Sequence, residues 1–148
     1  MDVRRYQSKD ESDKKAITAI LKEELSRRKM EYDEATWLKY LKDKDRSLQN
    51  RNGMILAVEG EEVAGFVFTE IRYEISGKPY GFFHFPLVKK EYKTKVEELL
   101  CKEAMEYLES LKMKDIRTII PKRHALGKSV IMKLYFKQHE LSWRILVD

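Results

Sequence analysis

The sequence GFFHFPLV at residues 81–88 runs directly into KKEYKTK at 89–95 and then VEELLCKEAMEYLESL at 96–111. The first segment is apolar and aromatic, which predicts a buried strand, and the last has apolar residues at helical spacing, which predicts an amphipathic helix. The first N–H groups of a helix have no partner inside it, and the helix dipole favours negative charge there. A strand, a basic turn and a helix can therefore bind a phosphate-bearing ligand. The alternative is an ordinary strand-to-helix connection with a solvated basic surface.

Hydrophobic periodicity predicts the remaining elements and their order. The predicted strands are residues 2–6, 54–59, 62–73, 80–88, 116–120 and 142–147, and the predicted helices are residues 10–27, 33–44, 94–111 and 127–138. The polar segment 43–53 is expected to be a loop, because it ends in an Asn-Gly turn signal. Hairpin-linked strands come first, and strands joined through helices come later. We therefore predict an α/β fold, with one mixed, mostly antiparallel sheet and helices on both faces, formed by residues 1–148 as a single domain.

The composition is that of a folded globular protein. The chain has 148 residues, of which 43% are hydrophobic and 37% are charged, so it can form a core and is too apolar for a disordered chain. No apolar run approaches the roughly 20 residues that span a bilayer. The start of the chain, MDVRRYQSKDE, lacks the apolar segment of a signal peptide. We therefore expect no membrane association and a cytoplasmic location.

The cysteine and histidine residues do not predict a metal site. Cys101 is the only cysteine, which excludes an internal disulfide and a multi-cysteine metal centre. It follows Leu100 in the predicted helix and is interpreted as a packed thiol. His124 and His139 do not have the spacing of a metal-ligand pair. The net charge of +5 suits a polyanionic ligand, but 25 acidic residues dilute it and no nucleic-acid-binding motif is present.

Four segments of the chain together resemble the GNAT superfamily of N-acetyltransferases, and they cover nearly all of it. VRRYQSKDESDKKAI (3–17) is similar to the family's first strand and helix, and ILAVEGEEVAGFVF (55–68) is similar to its second and third strands, with Gly65 in the third. Residues 88–100 occupy the place of the acetyl-CoA motif, and KSVIMKLYFKQHEL (128–141) looks like the last helix. The resemblance implies that acetyl passes from acetyl-CoA, a cosubstrate, to a primary amine that attacks the thioester directly.

The resemblance also implies where the cosubstrate binds. Backbone groups of Leu87, Val88 and Lys89 would pair with the amides of the pantetheine arm in a strand-addition type of contact. An N–H near Val88 would donate to the oxyanion of the tetrahedral intermediate. The residues implied for the phosphate groups are Lys93, Thr94, Lys95, Val96 and Lys128. A second basic group at the end of the neighbouring strand could flank the same cleft, and it consists of Lys122, Arg123 and Lys128.

The basic turn departs from the family pattern. The family's pyrophosphate loop reads Arg or Gln, two residues, Gly, one residue, and Gly or Ala, whereas KTKVEE at residues 93–98 has no glycine and is one residue shorter before the first glycine position. Lys93 takes the basic first position, and Lys95 and Glu97 lie where the glycines would be. Glycine there lets backbone N–H groups approach a phosphate closely. The departure motivates a second hypothesis, in which a GNAT-fold protein has lost catalysis and serves as a ligand-binding or interaction module.

Two side chains are the candidates for catalysis. The resemblance matches Tyr135 to the family tyrosine in the last helix, as proton donor to the thiolate of coenzyme A. The alternative is a tyrosine that packs at the helix edge. His84 interrupts an aromatic strand and is the candidate base, because imidazole suits proton relay. The alternative is a partly buried histidine with a hydrogen-bond partner, and Glu70 and Glu74 are the substitute bases.

The strand around His84 carries the remaining expectations. Side chains alternate along a strand, so Phe82, His84 and Pro86 should share one face. Pro86 lacks an N–H and marks either a bulge that opens the strand or the strand's end. Tyr73, Tyr80 and Phe82 could line a groove for the acceptor.

Several points of function stay open at this stage. The acceptor amine could belong to a protein N-terminus, a lysine or a small molecule, and the sequence leaves a homodimer open. A basic nucleic-acid-binding domain is the least favoured alternative and depends on the cations of residues 89–95 and 122–128.

Overall fold

The computed structural model describes residues 1–121, 124, 126–134, 136–137 and 145–147. The strands in this part of the chain are β1 (Asp2–Arg5), β2 (Met54–Glu59), β3 (Glu62–Tyr73), β4 (Pro79–His84), β5 (Leu87–Val88) and β6 (Ile116–Ile119). The helices there are α1 (Glu11–Arg27), α2 (Glu34–Asp45), α3 (Leu48–Asn52), α4 (Lys93–Ser110) and α5 (Gly127–Lys133), and a 3-10 helix (Lys90–Tyr92) leads into α4. None of these helices is both long and apolar enough to cross a membrane.

The strands form one sheet in the order β1-β2-β3-β4-β6, and β5 pairs with β3 beside the end of β4. Neighbouring strands are antiparallel except for β4 and β6, which are parallel. A parallel neighbour requires a crossover, and α4 supplies it between β5 and β6. The prediction of a mixed, mostly antiparallel sheet with α/β architecture is confirmed.

Two hydrophobic clusters cover the two faces of the sheet. Alternation along β2 sends Met54 and Leu56 into one cluster and Ile55 and Ala57 into the other. The first cluster packs against α1 and α2, and its helix residues are Ile17, Ile20 and Leu41. The second cluster packs against α4 and α5, and its helix residues include Val96, Leu100, Ala104, Leu108, Val130 and Ile131. Period-2 alternation in the strands and helical spacing in the helices therefore produce helices on both faces, as predicted.

The long strand predicted at residues 80–88 is interrupted. It runs as β4 to His84, skips two residues, and resumes as β5. Phe83, Phe85 and Val88 all pack into the cluster under α4, so the side-chain alternation shifts by one residue between Phe85 and Val88. An extra residue at this point is the signature of a bulge, and Pro86 contributes no N–H to a ladder. Of the two predicted alternatives for Pro86, a bulge or the end of a strand, the bulge is therefore correct.

Two other predicted boundaries are wrong. The segment expected to be a loop at 43–53 contains α3, whose first turn is capped by the Ser47 hydroxyl accepting a hydrogen bond from the Asn50 N–H. The last helix ends at Lys133 instead of residue 138, because the Ile131 carbonyl accepts hydrogen bonds from the N–H groups of Leu134 and Phe136 in a tight turn. Part of the predicted strand 142–147 lies outside the described residues, and residues 145–147 are not in a strand.

Candidate functional site

The strands β5 and β6 diverge at one end of the sheet. β4 pairs with β6 from Gly81–Ile116 to His84–Ile119. Beyond His84 the bulge moves the chain toward β3, where Val88 lies opposite Gly65. Within the described residues β5 pairs with β3 and not with β6. The bulge therefore opens a gap between β5 and the segment that follows β6.

The backbone of Val88 faces this gap. The Lys89 N–H donates to the Ala64 carbonyl at 2.8 Å, so Lys89 is bonded toward β3. Hydrogen-bonding directions alternate along an antiparallel strand, which turns the N–H and C=O of Val88 away from β3. Gly65 permits the close approach of the two strands, because a Cβ on it would lie 2.8 Å from the Leu87 carbonyl oxygen. Of the three residues predicted to pair with a pantetheine arm, Val88 presents its backbone groups to the gap, and the N–H of Lys89 is already used.

The predicted phosphate-binding residues lie at the start of α4. The N-cap residue of α4, Tyr92, makes no side-chain capping hydrogen bond, so the first turn is not closed by a side chain. A cleft of about 690 Å³ adjoins this turn and contains Lys93, Thr94, Lys95 and Val96 in its wall. Its other lining residues are Met1, Glu59, Glu91, Tyr92 and Leu99. The four predicted residues therefore share one cleft, in which two carboxylates offset part of the lysine charge.

The two glutamates near the start of α4 are engaged with other side chains. Glu97 is 2% exposed, and its Oε2 forms a short hydrogen bond with Nε2 of His124, in the segment after β6. Glu98 lies 3.8 Å from the Lys133 ammonium. Lys95 is exposed, and so is Lys128 in the first turn of α5. The residues at the two glycine positions of the family loop thus differ in direction, since Lys95 faces solvent and Glu97 faces the interior.

His84 lies half-exposed beside the gap, on the face of the sheet covered by α2. Its side chain is 47% exposed, and its Nε2 is 3.6 Å from Oε1 of Glu70. The ring makes edge contacts with Phe82, at 5.2 Å between centroids, and with Tyr40, at 6.3 Å. These contacts restrict the orientation of the ring while leaving it open to solvent. A side chain so placed can accept a proton from a bound molecule.

Glu70 is the centre of a charged cluster that orients His84. Its carboxylate contacts the imidazole and accepts hydrogen bonds from the Lys44 ammonium at 3.1 Å and from Nε of Arg72 at 2.6 Å. The contact with His84 and the charges of Lys44 and Arg72 hold the pKa of Glu70 well below its usual range, although burial acts in the opposite direction. Glu70 therefore stays ionised and is a poor base at neutral pH. Its position suits it to orient the imidazole.

Lys44 is a site residue that the sequence reasoning missed. It lies at the end of α2 in a polar stretch, yet it is buried, and its ammonium also donates to the Thr69 carbonyl at 2.8 Å. Burial lowers the pKa of the Lys44 ammonium, although the neighbouring Glu70 carboxylate acts in the opposite direction. No local pattern distinguishes it from the solvated lysines around it. The other substitute base, Glu74, pairs with Arg117 instead of His84.

Replacing Glu70 should lower stability in a pH-dependent way. The folded pKa of Glu70 lies below its unfolded value, so its contribution is full above about pH 5 and is lost as the pH falls through the folded pKa. We expect Glu70→Gln to lower the free energy of unfolding at pH 7 by about 1–3 kcal/mol. Urea denaturation from pH 7 to pH 3 should show this deficit shrinking as the pH falls. Glu74→Gln is the matched control, and an equal loss in both variants would contradict the assignment.

Three aromatic residues are predicted to line an acceptor groove. Tyr73 is exposed, and the guanidinium of Arg117 lies 4.0 Å from the centre of the Tyr80 ring. Phe82 is buried, and the Arg72 guanidinium covers its ring at 3.6 Å. Phe82 is therefore covered by Arg72 and is not itself open to an acceptor. Tyr73 and Tyr80 lie nearer the protein surface.

Cys101 is confirmed as a packed thiol. It is fully buried in the cluster under α4, and burial raises the pKa of the thiol far above its usual range. A thiol that stays protonated is not a nucleophile.

Other predicted residues lie outside the described part of the chain. They are Lys122, Arg123, Tyr135 and His139. The role of Tyr135 as a proton donor and the second basic group therefore stay predictions.

Comparison with solved structures shows which fold this arrangement represents. The chain is similar to the aminoglycoside 6'-N-acetyltransferase AAC(6')-IG from Acinetobacter haemolyticus, with 17% identity, a TM-score of 0.67 and 100% of both chains covered. It is also similar to a transcriptional regulator from Bacillus halodurans, with 15% identity, a TM-score of 0.76 and 99% of both chains covered. A third similar structure is the aminoglycoside N-acetyltransferase AAC(6')-Iy in complex with CoA, with 12% identity, a TM-score of 0.71 and 99% of both chains covered.

These similarities extend over the whole fold. No protein-family model and no curated protein sequence matches the chain. The chain has the fold of the GNAT N-acetyltransferases, which confirms the resemblance drawn from its sequence.

Proposed function

We propose that this protein transfers acetyl from acetyl-CoA to a primary amine by direct attack of the amine on the thioester. The observation that carries the proposal is the bulge after His84, which separates β5 from β6 and turns the backbone of Val88 toward the gap. A strand edge with free amide groups can pair with the amides of a pantetheine arm. The cleft at the start of α4 contains Lys93 and Lys95 in its wall, and their ammonium groups could bind the phosphates.

The proposed reaction uses groups on both sides of the bulge. The amine nitrogen forms a bond to the thioester carbonyl carbon and gives its proton to His84, which Glu70 keeps in position. The carbonyl oxygen becomes an oxyanion and accepts a hydrogen bond from the Val88 N–H. The carbon–sulfur bond then breaks, and the thiolate leaves with a proton, for which Tyr135 is the proposed donor. The products are an amide and coenzyme A.

Binding and turnover together test this proposal. Calorimetry should show saturable binding of acetyl-CoA to the purified chain, and a thiol-release assay with a panel of small amines, lysine peptides and free peptide N-termini should identify the acceptor class. Mass spectrometry should find one added acetyl group on the acceptor only when enzyme is present. Absence of acetyl-CoA binding at millimolar concentration would overturn the proposal.

A catalytically inactive binding module is the second candidate function. It is favoured by the contact between Glu97 and His124, which joins α4 to the segment after β6, and by the loop without glycine. In this case the chain would bind CoA or another ligand without releasing thiol from acetyl-CoA. The same pair of measurements therefore separates the two functions.

The observed contacts of the basic turn do not favour nucleic acid. The ammonium of Lys89 is 2.7 Å from the Glu62 carboxylate, and Glu59 and Glu91 lie in the cleft beside Lys93 and Lys95. A surface for nucleic acid needs cations that are free to neutralise phosphates along a strand.

A further inference from the structure

The described helices cover only part of the sheet face on which His84 lies. On one side of His84, the ring of Tyr40 from α2 makes an edge contact with the imidazole. On the other side, its neighbour in register is Ile119 of β6, which is 63% exposed. Neighbours in register on adjacent strands share a face of the sheet. The surface over β4, between Tyr40 and Ile119, is therefore open to solvent beside the proposed base.

Arg72 covers the centre of this surface. Its guanidinium lies 3.6 Å from the centre of the Phe82 ring, the same ring that His84 contacts. Nε of Arg72 and Nε2 of His84 are 2.6 Å and 3.6 Å from the same oxygen, Oε1 of Glu70, so the guanidinium and the imidazole are close neighbours. The Arg72 side chain is 38% exposed, and its Nη1 has no partner among the described residues. A stacked guanidinium with N–H groups left on its edge is suited to bind a carboxylate.

The charge of Arg72 is only partly balanced. Glu70, its counter-ion, also pairs with the buried ammonium of Lys44 at 3.1 Å. One carboxylate shared between two cations leaves an excess of about one positive charge beside His84. An anionic group on a bound molecule would balance this excess.

A second arginine on the same face of the sheet is already balanced. Arg117 of β6 lies over the ring of Tyr80, with its guanidinium 4.0 Å from the ring centre. It pairs with two carboxylates, those of Glu74 and Asp115. The end of the face near Tyr80 therefore has no excess positive charge, and the imbalance is specific to the end near the base.

We infer that the acceptor is a small amine with a carboxylate close to its amino group, such as an α-amino acid, an inference that rests on the proposed function. The carboxylate binds the free edge of the Arg72 guanidinium, and the amino group lies against His84. Because Arg72 and His84 contact the same oxygen of Glu70, the two groups of the acceptor must be close together in the molecule. An excess of one positive charge matches a carboxylate better than a phosphate ester, which carries roughly twice the charge.

Pairs of acceptors that differ only in the carboxylate test this inference. A panel of free amino acids and their amides supplies them, with alanine and alaninamide as one pair and phenylalanine and phenylalaninamide as another. A carboxylate raises the pKa of the amine beside it, so the reactivity of the amine alone would favour the amide. We expect the thiol-release assay to give the wild type a kcat/KM about tenfold higher for the preferred amino acid than for its amide.

Arg72→Gln removes the charge and the guanidinium edge. It should lower the ratio of kcat/KM for acid over amide about tenfold, mainly by raising KM for the acid. Arg117→Gln is the matched control, because Arg117 also stacks on an aromatic ring of β4 but is balanced by two carboxylates, and this variant should keep the wild-type ratio. Thermal denaturation checks that each variant is folded. An equal loss with acid and amide in Arg72→Gln would mean that Arg72 acts only by positioning its neighbours, which would overturn the inference.

The wild type alone can also overturn it. If amides are acetylated as well as the free amino acids, the inference is wrong and the proposed function stands. A preference for O-phosphoethanolamine over ethanolamine, without one for amino acids over their amides, would contradict the choice of a carboxylate. If the wild type binds no acetyl-CoA and releases no thiol with any amine, the inference and the proposed function fail together.

Discussion

The His84→Gln variant should transfer acetyl about 10²–10⁴-fold more slowly than the wild type, because general base catalysis by a positioned side chain contributes about that much. Glutamine fills a similar volume and can still contact Phe82 and Tyr40, but it cannot accept a proton from the attacking amine. The affinity for acetyl-CoA should stay within about twofold, because the imidazole contacts Phe82 of the predicted acceptor groove and does not line the cleft at the start of α4. The measurement is kcat/KM as a function of pH, with calorimetry on the same preparation.

The dependence on pH distinguishes a base from a structural residue. If His84 removes the proton, the plot of kcat/KM against pH for the wild type should contain a pH-dependent region that is absent for the His84→Gln variant. Glu74→Gln is the matched control, since Glu74 directly follows the neighbouring strand β3 but pairs with Arg117, and its profile should equal that of the wild type. A His84→Gln variant with the wild-type rate, or a slow Glu74→Gln variant, would show that the base lies elsewhere.

The second large effect concerns a single N–H group. Proline at position 88 removes the N–H that faces the gap, and loss of one oxyanion donor lowers kcat about 10²–10³-fold. Proline is tolerated in a strand where its N–H side has no ladder partner, and the Val88 N–H is turned away from β3. We therefore expect Val88→Pro to fold and to bind acetyl-CoA while turning over poorly.

Val88→Ala provides the comparison that isolates this N–H. It also loses packing of the Val88 side chain, which is buried in the cluster under α4, but it keeps the N–H. Both variants should therefore lose a similar amount of stability in thermal denaturation, and only Val88→Pro should lose kcat by the large factor. Equal rates in the two variants would mean that the Val88 N–H does not stabilise the oxyanion.

Much of the architecture could be predicted from the sequence because its signals are local. Alternation in residues 54–59 and 62–73 predicted β2 and β3, and helical spacing predicted α1 and α4 within one or two residues of their observed ends. The errors are also physically explicable. The five-residue helix α3 is too short to produce a periodic pattern, and α5 ends where one carbonyl accepts two N–H groups, which no side-chain pattern indicates.

The candidate site was predictable only in part. His84 and Val88 were found because an aromatic strand, a proline and a basic turn follow one another in a single stretch. Glu70 was predicted only as a substitute base and Lys44 was not found, since the two residues are 26 positions apart and the spacing carries no signal. Glu97 was expected at the phosphate cleft from its position in the loop, and the structure directs it inward to His124.

The amino-acid order alone determined the long strands and helices and their order along the chain, because hydrophobic period and backbone geometry act between neighbours. Tertiary packing decided which polar side chains are buried and which of them meet. Lysine and glutamate side chains lose their hydration only when another element brings a partner within hydrogen-bond distance. The pairs Lys44–Glu70 and Glu97–His124 therefore exist only in the folded protein.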